Sequence, residues 1–266
     1  MTMPSVLRFL AIALIVGKVL PSQAVELPAG LMPGGSGRVV EVVDGDTVRL
    51  ADGREVRLVG IQAPKLPLGR PNFPTWPMAA EVKAALDALI LKRDVALGFG
   101  GRDHDRYGRL LAHLFREPDG LWVQGEMLSR GLARVYTFAD NRALAHDLFA
   151  HENEARQARR GIWALDYYAI LTPENAGRAL DQYALIEGRV VRAAEAHGSA
   201  YLNFGSDWKT DFTAVIRPAG LRVFAKEGID VAAYQGRRIR VRGWVESWNG
   251  PMIEITHPEQ IEEVME

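Results

Sequence analysis

Val42-Val43-Asp44-Gly45-Asp46-Thr47-Val48-Arg49-Leu50 decides the fold of this chain. A β-branched strand arrives, two carboxylates flank a glycine, and a second strand leaves. Asp-Gly between alternating apolar residues is a strong hairpin signal. Gly45 permits a tight backbone, so Asp44 and Asp46 project into nearly the same space. Paired carboxylates suit a hard cation such as Ca²⁺ or Mg²⁺. An isolated Asp-Gly-Asp is also an ordinary Asx turn with solvated side chains. Its surroundings separate the two readings: Arg57-Leu58-Val59-Gly60-Ile61 follows as a strand, and Asp105-Arg106-Tyr107-Gly108-Arg109 opens another.

The chain has 266 residues, which predicts one large or two small domains, and its 48% apolar content is ample for real cores. With a net charge of −1 the whole-chain balance says nothing about nucleic acid, and any basic surface must be local. There is no cysteine, which excludes a lipoprotein, a disulfide scaffold and a thiolate metal site. Residues 1–24 read as an export signal. Arg8 supplies the positive region, Phe9 to Val16 the apolar stretch, Pro21 a breaker and Ser22-Gln23-Ala24 a small-x-small cleavage site. The apolar run is too short to span a bilayer. The expectation is an exported protein, periplasmic or secreted, without stable membrane association once the signal is removed; the alternative is an uncleaved anchor.

Residues 25–36 read as a flexible linker and residues 37–166 as a first domain. Strands are predicted over 38–43, 47–51, 54–61, 95–99, 110–115 and 121–123. Five prolines between 64 and 77 make that stretch a stiff surface loop. Val82, Leu86, Leu89 and Ile90 have helical spacing, and further helices fit 124–130 and 142–159, closed by Gly131 and Gly161. The order β-β-β-α-β-β-α-α describes a five-stranded barrel with packed helices.

The motifs Asp44-Gly45-Asp46-Thr47, Arg57 to Pro64, Asp105 to Arg109, Gly131-Leu132-Ala133 and Gly161-Ile162-Trp163 together resemble the staphylococcal nuclease family. The resemblance implies an OB-type barrel and Ca²⁺-dependent hydrolysis of DNA and RNA. Position by position, it implies that Asp46 is the first metal carboxylate and Asp44 its supporting neighbour. Arg57 and Arg109 match the arginines that grip the scissile phosphate, a task suited to guanidinium forks. Tyr107 and Tyr136 fall near positions lining the family's nucleotide pocket, and Ala63 offers a backbone carbonyl to the metal.

Two departures bear directly on chemistry. Gln62 stands where the family has a second metal carboxylate, and Lys65 where it has the glutamate that activates or orients water. A Ca²⁺ site needs several oxygen ligands and negative charge, so the expected cation is weakly bound or absent. A protonated lysine supplies no general base, help typically worth ~10²–10⁴-fold in rate. Lys65 is a candidate phosphate ligand instead. His104 is a second candidate base that titrates near neutrality; Glu55 and Glu81 lie nearby in sequence without a positional argument.

Residues 167–181 read as a connector and residues 182–266 as a second domain of mainly β structure. Three strands, a helical stretch over 219–234 and two strands follow the order of a small OB-like barrel. The whole chain is thus expected to be α+β, mainly β, with two barrels. In the strand after Gly236, Ile239, Val241 and Val245 point one way, and Arg238, Arg240, Arg242 and Trp244 the other. A row of arginines ending in an aromatic suits a strand of nucleic acid, gripping phosphates and stacking a base. It equally suits an outer face whose arginines pair with Glu246, Glu254 or Asp211. Asn203 to Trp208 is a further polar-aromatic loop. Three functions are consistent with these readings: an exported nuclease, a non-catalytic protein that binds single-stranded DNA, RNA or nucleotides, and an envelope protein-interaction module.

Overall fold

A computed structural model describes residues 25–264; the expected export signal, residues 1–24, lies outside the described residues. Among the described residues, no helix is long and apolar enough to cross a membrane.

The N-terminal half contains β1 (Met32–Asp44), β2 (Thr47–Leu50), β3 (Glu55–Leu58), β4 (Gly60–Gln62), α1 (Ala79–Ile90), β5 (Asp94–Phe99) and β6 (Leu110–Arg116). These are followed by β7 (Leu121–Trp122), α2 (Val123–Ser129), β8 (Arg134–Tyr136) and α3 (Ala145–Gln157). β1, β2, β3, β6 and β5 pair in a ring, antiparallel except for the parallel β3–β6 pair, and close a five-stranded barrel. The predicted lead-in is in part strand, because Met32 to Arg38 pair with Asp94 to Phe99. The predicted strand over 54–61 is broken at Gly60, whose φ of 82° turns β4 away to pair with β8.

Period-two alternation places Val48, Leu50, Val56 and Leu58 inside the barrel, a register shift after Val39 brings both Val39 and Val42 inward, and α1 closes it with Val82, Leu86 and Ile90. The Asp44–Asp46 turn is pinned against that helix. A Cβ on Gly45 would lie 2.6 Å from Val82 Cγ1 and 2.7 Å from the Ala63 Cβ. The glycine is required by close packing.

The C-terminal half contains β9 (Tyr183–Arg189), β10 (Arg192–Ala196), β11 (Ser199–Asn203), β12 (Thr213–Ile216), α4 (Pro218–Lys226), β13 (Arg238–Ser247), β14 (Pro251–Ile255) and β15 (Ile261–Glu263). They form one sheet in the order β10-β11-β12-β14-β13, with β9 and β15 both paired to β13. The expected second barrel is therefore corrected. β9 and β10 lie at opposite ends of the pairing path and do not bond to each other, so the sheet is not closed. The cause is a switch of partner at Val190-Val191: Val190 N–H donates to Arg237 O, whereas Val191 N–H donates to Asn203 O. A separate apolar core, including Ile186, Leu202, Phe212, Phe224, Val241 and Ile253, underlies this sheet.

The two halves meet through buried polar groups. Arg242 on β13 has no solvent exposure; its Nη2 lies 2.8 Å from Glu152 Oε2 on α3 and also bonds Glu262. Its Nη1 donates to Val135 O at 3.1 Å. Arg156 bridges Glu152 and Glu262 at 3.3 and 3.0 Å. Arg142 pairs with Glu227 and Glu259, and Thr137 bonds His257 at 2.8 Å. A charge buried this deeply is tolerable only when paired, and the Nη groups of Arg242 meet that need, while its buried Nε has no hydrogen-bond partner.

Candidate functional site

The β1–β2 turn carries Asp44 and Asp46 into the wall of the barrel, where they are 5% and 0% exposed. Asp46 is enclosed by donors. Ala63 N–H donates to its Oδ2 at 2.8 Å, and Arg57 Nη2 lies 3.3 Å from the same oxygen. Lys65 Nζ donates to Asp46 Oδ1 at 2.5 Å and to Asp44 Oδ2 at 3.2 Å. The lysine is aimed by its backbone: it follows β4 directly, and its carbonyl accepts Trp76 N–H at 3.0 Å, which folds the proline-rich loop back on itself.

The two carboxyls are driven apart in acidity. Burial would raise Asp46, but the charges of Arg57 and Lys65 and the bonds from Lys65 and Ala63 hold it below the usual carboxylate range. Burial and the neighbouring Asp46 charge push Asp44 up.

Arg57 is anchored as well as charged. Its Nη1 donates to Leu58 O at 2.5 Å and its Nη2 to Ile61 O at 2.7 Å. The β3–β6 register pairs Val56 with Leu110 and Arg57 with Leu111, so Arg57 on β3 stands beside the entry to β6, which Arg109 immediately precedes. Arg109 is held by Asp105, whose Oδ2 lies 2.7 Å from both Nε and Nη2. The exposed ring of Tyr107 lies against the Arg106 and Arg109 guanidinium groups. His104 is a loop side chain 3.1 Å from its neighbour Asp103.

Gln62 is not turned toward the aspartates. Its Oε1 accepts from Arg134 Nε and Nη2 at 2.9 and 2.8 Å. Arg134 is itself enclosed by Trp76, Tyr168 and Tyr183, its guanidinium carbon 4.6 Å from the Tyr183 ring centre. Burial lowers its pKa.

This donor set does not fit Ca²⁺, which takes six to eight oxygen ligands at about 2.3–2.6 Å. The Gln62 oxygen is committed to Arg134, an ammonium stands against both aspartates, and no carboxylate replaces the family's glutamate. Among the described residues, no group of three or more His, Cys, Asp or Glu side chains is arranged to hold a metal.

The second predicted surface divides differently. Arg242 faces inward to Glu152 and Glu262, so its proposed contact with nucleic acid is corrected. Arg240 is taken by Glu187 and Glu262, and Arg238 by Glu187. Trp244 remains 44% exposed, with Nε1 donating to Tyr136 Oη at 3.2 Å. Tyr136 packs between Phe138 and Tyr183. The alternation along β13 is as expected, but its arginine face is the face that docks the two halves. On the outer side of the C-terminal sheet, Trp208, Trp248 and Tyr201 line a groove of about 450 Å³.

Sequence reasoning missed Arg134 and Glu152. Arg134 directly follows the quoted Gly131-Leu132-Ala133. Glu152 sits with Leu148 and Ala155 on one face of α3, and a carboxylate on a buried helical face is a sign that an arginine must meet it.

A protein described only as an uncharacterized endonuclease, from Escherichia coli, is 34% identical over 131 residues, covering 48% of this chain and 76% of that protein. The chain belongs to the staphylococcal nuclease family. The family model, described as a staphylococcal nuclease homologue, matches residues 55–165, which end before the C-terminal sheet begins. A thermonuclease of Staphylococcus hyicus is 27% identical over 135 residues, covering 48% of this chain and 75% of that protein. A staphylococcal-like nuclease of Arabidopsis thaliana is 36% identical over 117 residues, 43% of this chain and 31% of that protein. Nuclease-family membership implies a nucleic-acid substrate, and the family typically uses Ca²⁺.

Proposed function

We propose that this protein binds the phosphodiester backbone of single-stranded DNA or RNA on the outer face of β3 and β6. The observation that carries this reading is the placement of Arg57 on β3 beside Arg109, which immediately precedes the neighbouring strand β6, each held by a backbone or carboxylate partner. Arg109 presents to phosphate oxygens the guanidinium edge that Asp105 does not occupy, while the Nη groups of Arg57 are engaged by Leu58 O, Ile61 O and Asp46, so that Arg57 contributes chiefly its charge. Tyr107 beside Arg109 offers a surface for a base, and stacking of this kind is worth about 1–3 kcal/mol per base.

A second reading is hydrolysis of the bound phosphodiester: water adds to phosphorus, the bond to the leaving sugar oxygen breaks, and the arginines carry the charge that develops. The printed names of the relatives, endonuclease and thermonuclease, support it. Lys65 at the position of the family's water-activating glutamate weighs against it, because an ammonium accepts no proton. The pattern in residues 1–24 supports export to the periplasm or the medium.

The test is fluorescence anisotropy with a labelled single-stranded oligonucleotide, run beside a gel assay of the same samples. Arg109→Ala removes the ion pair with Asp105 and the contact with Tyr107, both outside the apolar core, and at least about tenfold weaker binding is expected. Unchanged affinity places binding elsewhere. Cleavage in wild type that is lost in Arg109→Ala makes the second reading the correct one.

A further inference from the structure

We propose that Lys65 is a tethered cation that takes a divalent ion's place between Asp44 and Asp46, so that this site is organised without metal. The ammonium contacts one oxygen of each aspartate, at 3.2 and 2.5 Å, from a side chain only 19% exposed. Arg57 is the second counter-charge, 3.3 Å from the other Asp46 oxygen. With both carboxylates ionised, two negative charges meet two positive ones and the cluster is neutral. Admitting a divalent ion would require Lys65 Nζ to leave two carboxylates and, with Arg57 still in place, would leave the cluster with one excess positive charge.

The neighbouring position is closed off in the same way. Gln62 accepts two bonds from Arg134 at its side-chain oxygen, and Arg134 is fixed by three aromatic rings. Lys65 and Arg134 are both contributed by the protein, and both occupy oxygens that would otherwise be free for a metal. The cluster is therefore built to hold Arg57, through Asp46, in a set orientation at all times. Where nucleic acid binds, which rests on the reading above, its affinity is independent of divalent cations.

Calcium alone is the first probe, followed by calorimetry and by the thermal midpoint of the protein carrying residues 25–266. Wild type is expected to show no binding heat and no shift of midpoint up to about 10 mM Ca²⁺. Lys65→Glu is expected to lose stability in chelator and to regain it on adding Ca²⁺. Its calcium affinity should be at least about tenfold above that of wild type. Saturable calcium binding by wild type at millimolar concentration, or identical calcium response of wild type and variant, would overturn the proposal. Should Lys65→Glu not fold, Asp44→Asn with Lys65→Met removes one charge of each sign. That variant is expected to fold and to stay insensitive to calcium, and a calcium response as large as that of any carboxylate pair would again refute the assignment.

A labelled oligonucleotide is the second probe. Wild-type affinity should agree within about twofold in chelator and in Ca²⁺. Affinity that rises with Ca²⁺ overturns the proposal. Absence of oligonucleotide binding under every condition removes the nucleic-acid reading, while the calcium titrations still decide the role of Lys65.

Discussion

Arg242 Nη2 and Glu152 Oε2 lie 2.8 Å apart in the interior between the two halves of the molecule, neither side chain having any solvent exposure. Glu152 Oε1 also accepts Val135 N–H, so one carboxylate secures both the arginine and the start of β8. Removing one member strands the other. Arg242→Met is expected to cost about 3–5 kcal/mol, and Glu152→Leu combined with Arg242→Met much less than the sum of the single changes. Denaturant unfolding of the four proteins, analysed as a double-mutant cycle, checks this.

Acid should weaken the protein in two successive windows. Burial pushes His113 and His257 down to about 4 from an ordinary value of 6.5, so both are neutral in the fold. Their contribution is complete above pH 6.5. It declines as pH falls toward 4, because the unfolded chain takes up protons that the fold refuses. The loss is about 3 kcal/mol for each histidine. Burial would raise Glu262, but Arg242 and Arg156 hold it at about 2, so its contribution is present above 4.5 and disappears as pH falls through 2. Melting curves between pH 7 and pH 3 test the direction, and His257→Gln should flatten the upper window.

Gln62→Asp should not create a calcium site. The new carboxylate would meet Arg134, which already donates twice to this position, and form a charge-assisted pair. A gain of about 1–2 kcal/mol in stability and an unchanged calcium response are expected while Lys65 is present. Thermal melts with and without Ca²⁺ give both readings.

Gly45→Ala should be destabilising by about 1–3 kcal/mol, because the added methyl would meet Val82 and Ala63 well inside contact distance. The same substitution at Gly53, where φ is +90° and the space is open, tests backbone conformation alone. Comparing the two denaturation midpoints separates crowding from strain.

Much of this architecture is legible in residue patterns that act locally. The Asp44–Asp46 turn, the alternating valines of β1 and β2, and the spacing of Val82, Leu86, Leu89 and Ile90 each identify their element without outside help. What was not legible depends on partners distant in the chain. Alternation along β13 shows which way Arg242 points but not that α3 covers it, since Glu152 lies 90 positions away. Gln62 is recognisable as a departure from the family, yet its partner Arg134 is 72 positions on. β10 and β15 are short strands whose existence rests on pairing with β11 and β13, and the open edge between β9 and β10 turns on the two bonds of Val190 and Val191.

The stretch that carries the family likeness ends at residue 165 and contains Glu152. Arg156 lies within that stretch, but the buried arginine that bonds both Glu152 oxygens belongs to β13, far beyond that limit. Excising residues 25–165 as a stand-alone cassette would therefore leave Glu152 without Arg242 and Arg134 without Tyr168 and Tyr183. The region recognised as a nuclease is not a portable module. Its electrostatic balance is completed by a part of the chain that sequence similarity to nucleases does not reach.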